Sequence, residues 1–208
     1  MRLLDHDGFD LWADGYDQSV QLSEASDRYP FAGYREVLST VYRAVKENAG
    51  NKVLDIGFGT AVLTQRLYRD GYDIYGIDFS EKMNAIAKEK MPNAHLYQCD
   101  FTAGLPAVLK NEMFDAITCT YAIHHLRTEQ KTLFLKELLA HLNENGQILI
   151  GDVAFETAEE LTKCRTKYQE HWDSDEIYMV EEDFRELFPN ILFNPITSCS
   201  GVFTLKRT

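Results

Sequence analysis

Between residues 35 and about 190, short apolar runs alternate with helical patterns, and this alternation constrains the fold more than any other feature of the chain. The helical pattern near residues 35 to 48 puts Val37, Leu38, Val41, Tyr42 and Val45 on one stripe at period 3.6. A strand follows at about 52 to 56, then a glycine turn and a helix carrying Val62, Leu63 and Leu67 that ends at Asp70-Gly71. "DIYGID" reads as a second strand. Ser80 is placed to cap a helix holding Met83, Ile86 and Ala87, which Pro92 stops. Further strands are expected at about 95 to 99, at "FDAITCT" and at "QILIGDV"; between the last two, a helix is expected to bury Leu133, Phe134, Leu138 and Leu142 before an Asn145-Gly146 turn. Strands apolar on both faces call for a parallel sheet covered by helices on both sides, an α/β architecture.

The end of the chain breaks this rhythm. Residues 157 to 188 give two helical patterns (Leu161, Cys164, Tyr168; then Phe184, Leu187, Phe188) joined by "HWDSDEIY", with Pro189 closing the second. "ILFNPITS" and "GVFTLKR" then face each other across Cys199 to Gly201 as an antiparallel hairpin. The length of 208 residues suits one domain, with an N-terminal helical cap over 1–48 and a helical lid-like insertion over 156–188.

Charge narrows the partners. Lys plus Arg number 21 against 33 for Asp plus Glu, a formal charge of -12, which repels a polyphosphate backbone; no nucleic-acid partner is expected. Cys99, Cys119, Cys164 and Cys199 lie far apart without metal-ligand spacing, so neither a metal site nor a disulfide framework is expected. The start of the chain is acidic and no run approaches membrane-span length, so the expectation is a cytoplasmic protein without signal peptide or anchor. Oligomeric state stays open between monomer and homodimer.

In an open parallel sheet, ligands bind beyond the carboxyl ends of the strands, where strand order reverses. Those ends carry a consistent set here. The first strand runs into Asp55-Ile56-Gly57-Phe58-Gly59, where absent side chains let backbone touch a ligand. The second ends in Asp78, 21 residues after Gly57, whose carboxylate can accept from both hydroxyls of a ribose. The third ends in "QCDF": Asp100 can accept from the exocyclic amine of adenine, while Phe79, Met83 or Phe101 can sandwich the ring.

These stretches together resemble the class I S-adenosylmethionine-dependent methyltransferases, especially the small-molecule branch. "VLDIGFGTAVLTQRL" is similar to their first motif, "GIDFSEKM" to their ribose motif, "CDF" to their adenine motif and "FDAITCTYAIHHL" to their fourth-strand motif; the final hairpin is similar to their reversed last strand. "WADGYDQSV", "TYAIHHL" and "HWDSDE" further resemble a group of small bacterial members with undetermined methyl acceptor. The resemblance covers roughly residues 9 to 207. It implies a Rossmann-like doubly wound seven-stranded sheet, mostly parallel with a C-terminal antiparallel hairpin, and S-adenosylmethionine as cofactor.

The departures from a dinucleotide motif are informative. A pyrophosphate calls for bare backbone where Val62 stands, which argues against NAD. S-adenosylmethionine has no phosphate, and its methionine end can be met by backbone groups from Gly57 to Thr60 and a carbonyl near Thr120. Ala61 is expected to take negative φ, where alanine is unstrained. Tyr16 is a candidate neighbour of the sulfonium cation, although Phe9, Trp12, Tyr16 and Val20 equally form a packing stripe.

Methyl transfer from a sulfonium needs alignment and, for some acceptors, a base. His124 and His125 follow the fourth strand, where the resemblance puts the acceptor pocket, and either can be a base or a brace for the next helix. Tyr168, Trp172 and Tyr178 can line an acceptor site, and Asp173, Asp175 and Glu176 either favour an amine or form a solvated acidic loop. The expected partner is a small-molecule methyl acceptor; a non-catalytic cofactor sensor and a protein methyltransferase are the alternatives.

Overall fold

The computed structural model describes residues 28–207. The stripe on α1 (Tyr34–Glu47) forms as its spacing predicts: Val37, Leu38, Val41 and Val45 are buried, and Tyr42 is half-buried. Then come β1 (Lys52–Ile56), α2 (Val62–Arg69), β2 (Asp73–Asp78), α3 (Glu81–Lys90), β3 (His95–Gln98), β4 (Phe114–Thr120), α4 (Thr128–Ala140) and β5 (Leu142–Asp152). Ser80 caps α3 by accepting from the Met83 N–H at 3.1 Å. The hairpin is β8 (Leu192–Thr197) with β9 (Ser200–Lys206), turning at Ser198-Cys199.

Seven strands form one sheet in the order β3-β2-β1-β4-β5-β9-β8. The pairs from β3 to β5 are parallel, and β9 is antiparallel to both β5 and β8. Neighbouring residues along each central strand serve opposite faces. Val53, Ala116, Leu149 and Val202 pack beneath α1 and α2, while Leu54, Ile117, Ile148 and Phe203 pack with Phe134, Leu135 and Leu138 of α4. That double burial is why the strands read as unbroken apolar runs. Truncating one of these fully buried side chains to alanine costs about 2–5 kcal/mol.

Two expectations need correction here. Leu133 is 68% exposed and Leu142 begins β5, so the buried face of α4 is Lys131, Phe134, Leu135 and Leu138. Asn145-Gly146 does not end a helix. It belongs to β5, in an irregular stretch where the register against β4 jumps from Phe114↔Leu142 to Ala116↔Gln147, and Asn145 takes φ 66.

Between β5 and the hairpin, β6 (Ala154–Phe155) pairs in parallel with β7 (Met179–Val180). The chain between them, including α5 (Ala158–Lys167), therefore leaves and returns at one place on the carboxyl side of the sheet, before the short α6 (Glu181–Phe184). No helix among the described residues is long and apolar enough to cross a membrane.

Candidate active site

β1 and β4 lie side by side, but the chain passes outward through β2 and β3 before crossing back, so strand order reverses between them. Gly57 and Gly59 follow β1 at that point with φ 67 and 53, the left-handed region that glycine enters without strain. A Cβ on Gly57 would lie 2.5 Å from the Ala122 Cβ, so the turn presses against the chain leaving β4. A Cβ on Gly59 would meet nothing within 4 Å: this edge of the turn faces open space.

Asp78 holds the turn in place. Its Oδ2 accepts from the Gly59 N–H at 2.8 Å and its Oδ1 from the Ser80 N–H at 2.9 Å, which ties the end of β2 to the turn after β1. Beneath it, the buried Asp55 carboxylate accepts from the Thr64 hydroxyl and, at 2.8 Å, from the Thr118 hydroxyl. Burial drives the Asp55 pKa up to about 6, against the lowering effect of the two threonines, and the charge of Asp78 adds to the rise.

Beyond β4, a one-turn helix (Ile123–His125) brings a second polar group together. The His124 Nδ1 lies 2.8 and 3.0 Å from the two Asp152 oxygens at the end of β5, and its Nε2 lies 3.4 Å from Glu176 Oε1. Glu176 Oε2 accepts from the Tyr178 hydroxyl, which also pairs with the Tyr29 hydroxyl. Burial opposes a charge on His124, but Asp152 and then Glu176 outweigh it and raise its pKa; in half-buried His125, desolvation and then the charges of His124 and Lys131 lower the pKa to about 3. Burial raises Glu176 as well, countered in part by His124 and Tyr178.

The segment carrying Glu176 is pinned by its backbone too. Ile177 donates to the His124 carbonyl at 2.9 Å, and the buried Lys131 ammonium donates to the Leu126 carbonyl and, at 2.5 Å, to that of Ile177. Burial depresses the Lys131 pKa to about 8 despite the nearby Asp152.

With this geometry in view, the likeness to known proteins is specific. Residues 53–146 match the model described as "Methyltransferase domain". An uncharacterized methyltransferase of Alkaliphilus oremlandii is 32% identical over 177 residues, covering 85% of this chain and 78% of its own. The chain belongs to the methyltransferase family. A second uncharacterized methyltransferase, from Anoxybacillus flavithermus, is 38% identical over 149 residues, 72% of this chain and 67% of its own. The fold is also that of magnesium protoporphyrin IX methyltransferase from Synechocystis PCC 6803, solved with bound SAH, at TM-score 0.67 and 19% identity over 86% of this chain and 85% of that one.

This methyltransferase brings together Gly57, Gly59 and Asp78 of the expected cofactor set, with Phe101 nearby: its ring edge would lie 3.9 Å from a Cβ on Gly57. Phe101 is buried and stacks on Phe134 at 5.6 Å, so Phe134 already occupies one side of that ring. Met83 is buried with Phe58, Ala61, Ala87 and Met91, and Phe79 is half-buried. Exposed Asp100 accepts from the Thr102 N–H at 2.9 Å, as the cap of its own short turn. Thr60 is buried, with its carbonyl 2.6 Å from Lys90 Nζ, and Thr120 ends β4 half-buried. Tyr16 and its stripe lie outside the described residues.

Ala61 departs from expectation: it adopts φ 62, left-handed, as the cap before α2. The turn's geometry demands that conformation, and burial of the methyl group among Phe58, Met83, Ala87 and Met91 helps offset its strain. Thr64, Thr118, Asp152 and Lys131 join these two polar groups without having been singled out in the sequence, and Asp55 was named there only as part of the strand end before the glycine turn. A carboxylate ending an otherwise apolar strand, as in "QILIGD", was the one available signal for Asp152. Tyr168, Trp172 and Tyr178 do not form an open cage, because Tyr29 fills it: its ring stacks on Trp172 at 4.9 Å and on Tyr168 at 5.8 Å, with Tyr178 edge-on.

Proposed function

We propose that this methyltransferase moves a methyl group from S-adenosylmethionine to a small-molecule acceptor, and that it works in the cytoplasm. The observation that carries the reading is the Asp78 clamp: one carboxylate fixes the glycine turn beside open space, and that turn packs against Ala122, two residues before His124. Gly57, Gly59, Thr60 and Asp78 are the residues to hold the cofactor's amino acid and ribose parts, with Phe79, Met83, Asp100, Phe101 and Thr120 as further cofactor residues and Tyr16, outside the described residues, as a candidate from the sequence alone. When bound, the cofactor supplies a methyl group on a positively charged sulfur, activated without help from a metal. What the protein adds is alignment: a turn held by Asp55 and Asp78, and an acceptor side formed by the chain after β4 and the segment reaching Tyr178. Four free thiols, three of them buried, suit a reducing compartment.

The test uses the full chain with methyl-labelled S-adenosylmethionine and a cell extract separated into small-molecule, protein and RNA fractions. Label should enter a small molecule whose mass rises by one methylene. Label confined to protein or RNA, or cofactor binding with no transfer to any fraction, contradicts the reading.

A further inference from the structure

Within the polar group after β4, one carboxylate differs from its neighbours. The side chains of His124 and Asp152 are only 9% and 2% exposed, whereas that of Glu176 is 22% exposed. The groups around it are engaged: His124 Nδ1 with Asp152, His124 Nε2 with Glu176, the Tyr178 hydroxyl with Glu176 and Tyr29, the Lys131 ammonium with two carbonyls, while half-buried His125 packs its ring against that of His124 at 4.3 Å. A molecule entering from solvent therefore meets the Glu176 carboxylate first. The group is joined to the cofactor turn through Ala122, two residues before His124 and packed against Gly57.

We propose that Glu176 is the residue of this methyltransferase that receives the acceptor, that the acceptor is an amine, and that Asp152, His124 and Tyr178 are positioning residues for it. The proposal rests on the methyltransferase reading above. An ionised carboxylate offers lone pairs and no proton, so it selects a ligand that brings hydrogen-bond donors, and an ammonium most strongly. The neighbouring charges agree. His125 is neutral at physiological pH, Lys131 is tied to backbone, and Asp173 stands on the same segment, its N–H held by the Tyr29 hydroxyl at 3.1 Å. A carboxylic acid or phosphate acceptor would bring a negative charge against Asp152 and Glu176, which makes it the unfavourable partner.

The chemistry balances. The acceptor ammonium gives one proton to Glu176, which frees the nitrogen lone pair. The nitrogen–carbon bond then forms as the carbon–sulfur bond breaks, with its electron pair staying on sulfur, and the proton passes from Glu176 to solvent. His124 and Tyr178, both in contact with Glu176, favour its ionised form against the burial that raises its pKa.

A carboxylate that receives the acceptor would stand beside the transferred methyl group and so favour a cation there, which lets the proposal be tested without knowing the acceptor. The full chain is titrated calorimetrically with S-adenosylmethionine, with its neutral product S-adenosylhomocysteine, and with sinefungin, which carries an amine in place of the methylsulfonium. In Glu176→Gln and Glu176→Ala the preference for the two cationic ligands over the neutral one should fall at least about threefold, the size expected of one partly screened charge. Glu176→Asp, which keeps the charge, should stay within twofold of the wild type. Unchanged affinity for the neutral product shows that each variant folds. A preference unaltered in both charge-removing variants overturns the proposal; failure of the wild type to bind any of the three ligands overturns the methyltransferase reading along with it, and shows before any variant is made.

Discussion

The His124 Nδ1 lies 2.8 Å from Oδ1 of Asp152, joining the turn after β4 to the last residue of β5 inside the protein. Burial alone would strip the imidazole of its proton, but the paired carboxylates reverse this and raise its pKa above the ordinary 6.5. The sign of the linkage follows: the charged pair contributes its full stability below pH 6.5 and loses it as pH rises through the folded-state value.

Replacing Asp152 with asparagine should therefore lower the His124 pKa, since burial and Lys131 are then opposed by Glu176 alone. Imidazole NMR against pH reads this directly. The substitution should also cost about 3–5 kcal/mol of stability in acid solution, as breaking buried pairs does, and less above the folded-state pKa. A His124 titration unmoved by Asp152→Asn would contradict the pairing.

Asp55 has a consequence of the same sign at lower pH. Its pKa of about 6 means that the folded protein holds a proton which the unfolded chain has already released near 3.8, so stability should fall, not rise, from pH 4 to 6 on account of this group. The contribution is on the order of 3 kcal/mol at most. Asp55→Asn should flatten that part of the urea-denaturation profile; an unchanged slope would show that Asp55 titrates normally.

At Ala61 two effects of similar size oppose each other. Relieving a left-handed alanine gains about 1 kcal/mol, and losing its buried methyl costs about 0.8 kcal/mol. Ala61→Gly should thus leave stability within about 1 kcal/mol of the wild type. Ala61→Val puts a β-branched side chain at φ 62 in a fully buried place, and should lower stability by about 3 kcal/mol or more in chemical denaturation.

Lys131→Met removes the ammonium that joins the Leu126 and Ile177 carbonyls. Hydrogen exchange at Ile177 and Tyr178 should quicken at least about tenfold, because a buried and a partly buried acceptor lose their donor, while amides in β1 and β4 stay protected. Equal exchange at Ile177 in both proteins would mean that Lys131 does not hold this segment.

The central parallel strands β1 and β4 were legible because they are buried on both faces, which leaves runs such as "FDAITCT" that little else produces. Local chemistry was legible too: Ser80 caps α3 as its position before Met83 predicts. What the sequence hid depends on contacts between distant residues. Leu133 fits the helical stripe, yet faces solvent, while Lys131 is buried because two carbonyls receive it. Asp152 reads as the end of a strand until His124 is placed 28 residues earlier in the chain but beside it in space. The hand of Ala61 is set by the turn as a whole, so no property of alanine announces it.

The central claim is that the turn after β1, clamped by Asp78, takes S-adenosylmethionine and not a dinucleotide. Calorimetric titration of the full chain with S-adenosylmethionine and, separately, with NAD tests it most directly, with Asp78→Ala as the companion variant. The account predicts one-to-one binding of S-adenosylmethionine, at least about tenfold weaker in Asp78→Ala as two backbone bonds and the ribose partner are lost, and no heat from NAD. Binding of NAD with none of S-adenosylmethionine would contradict it.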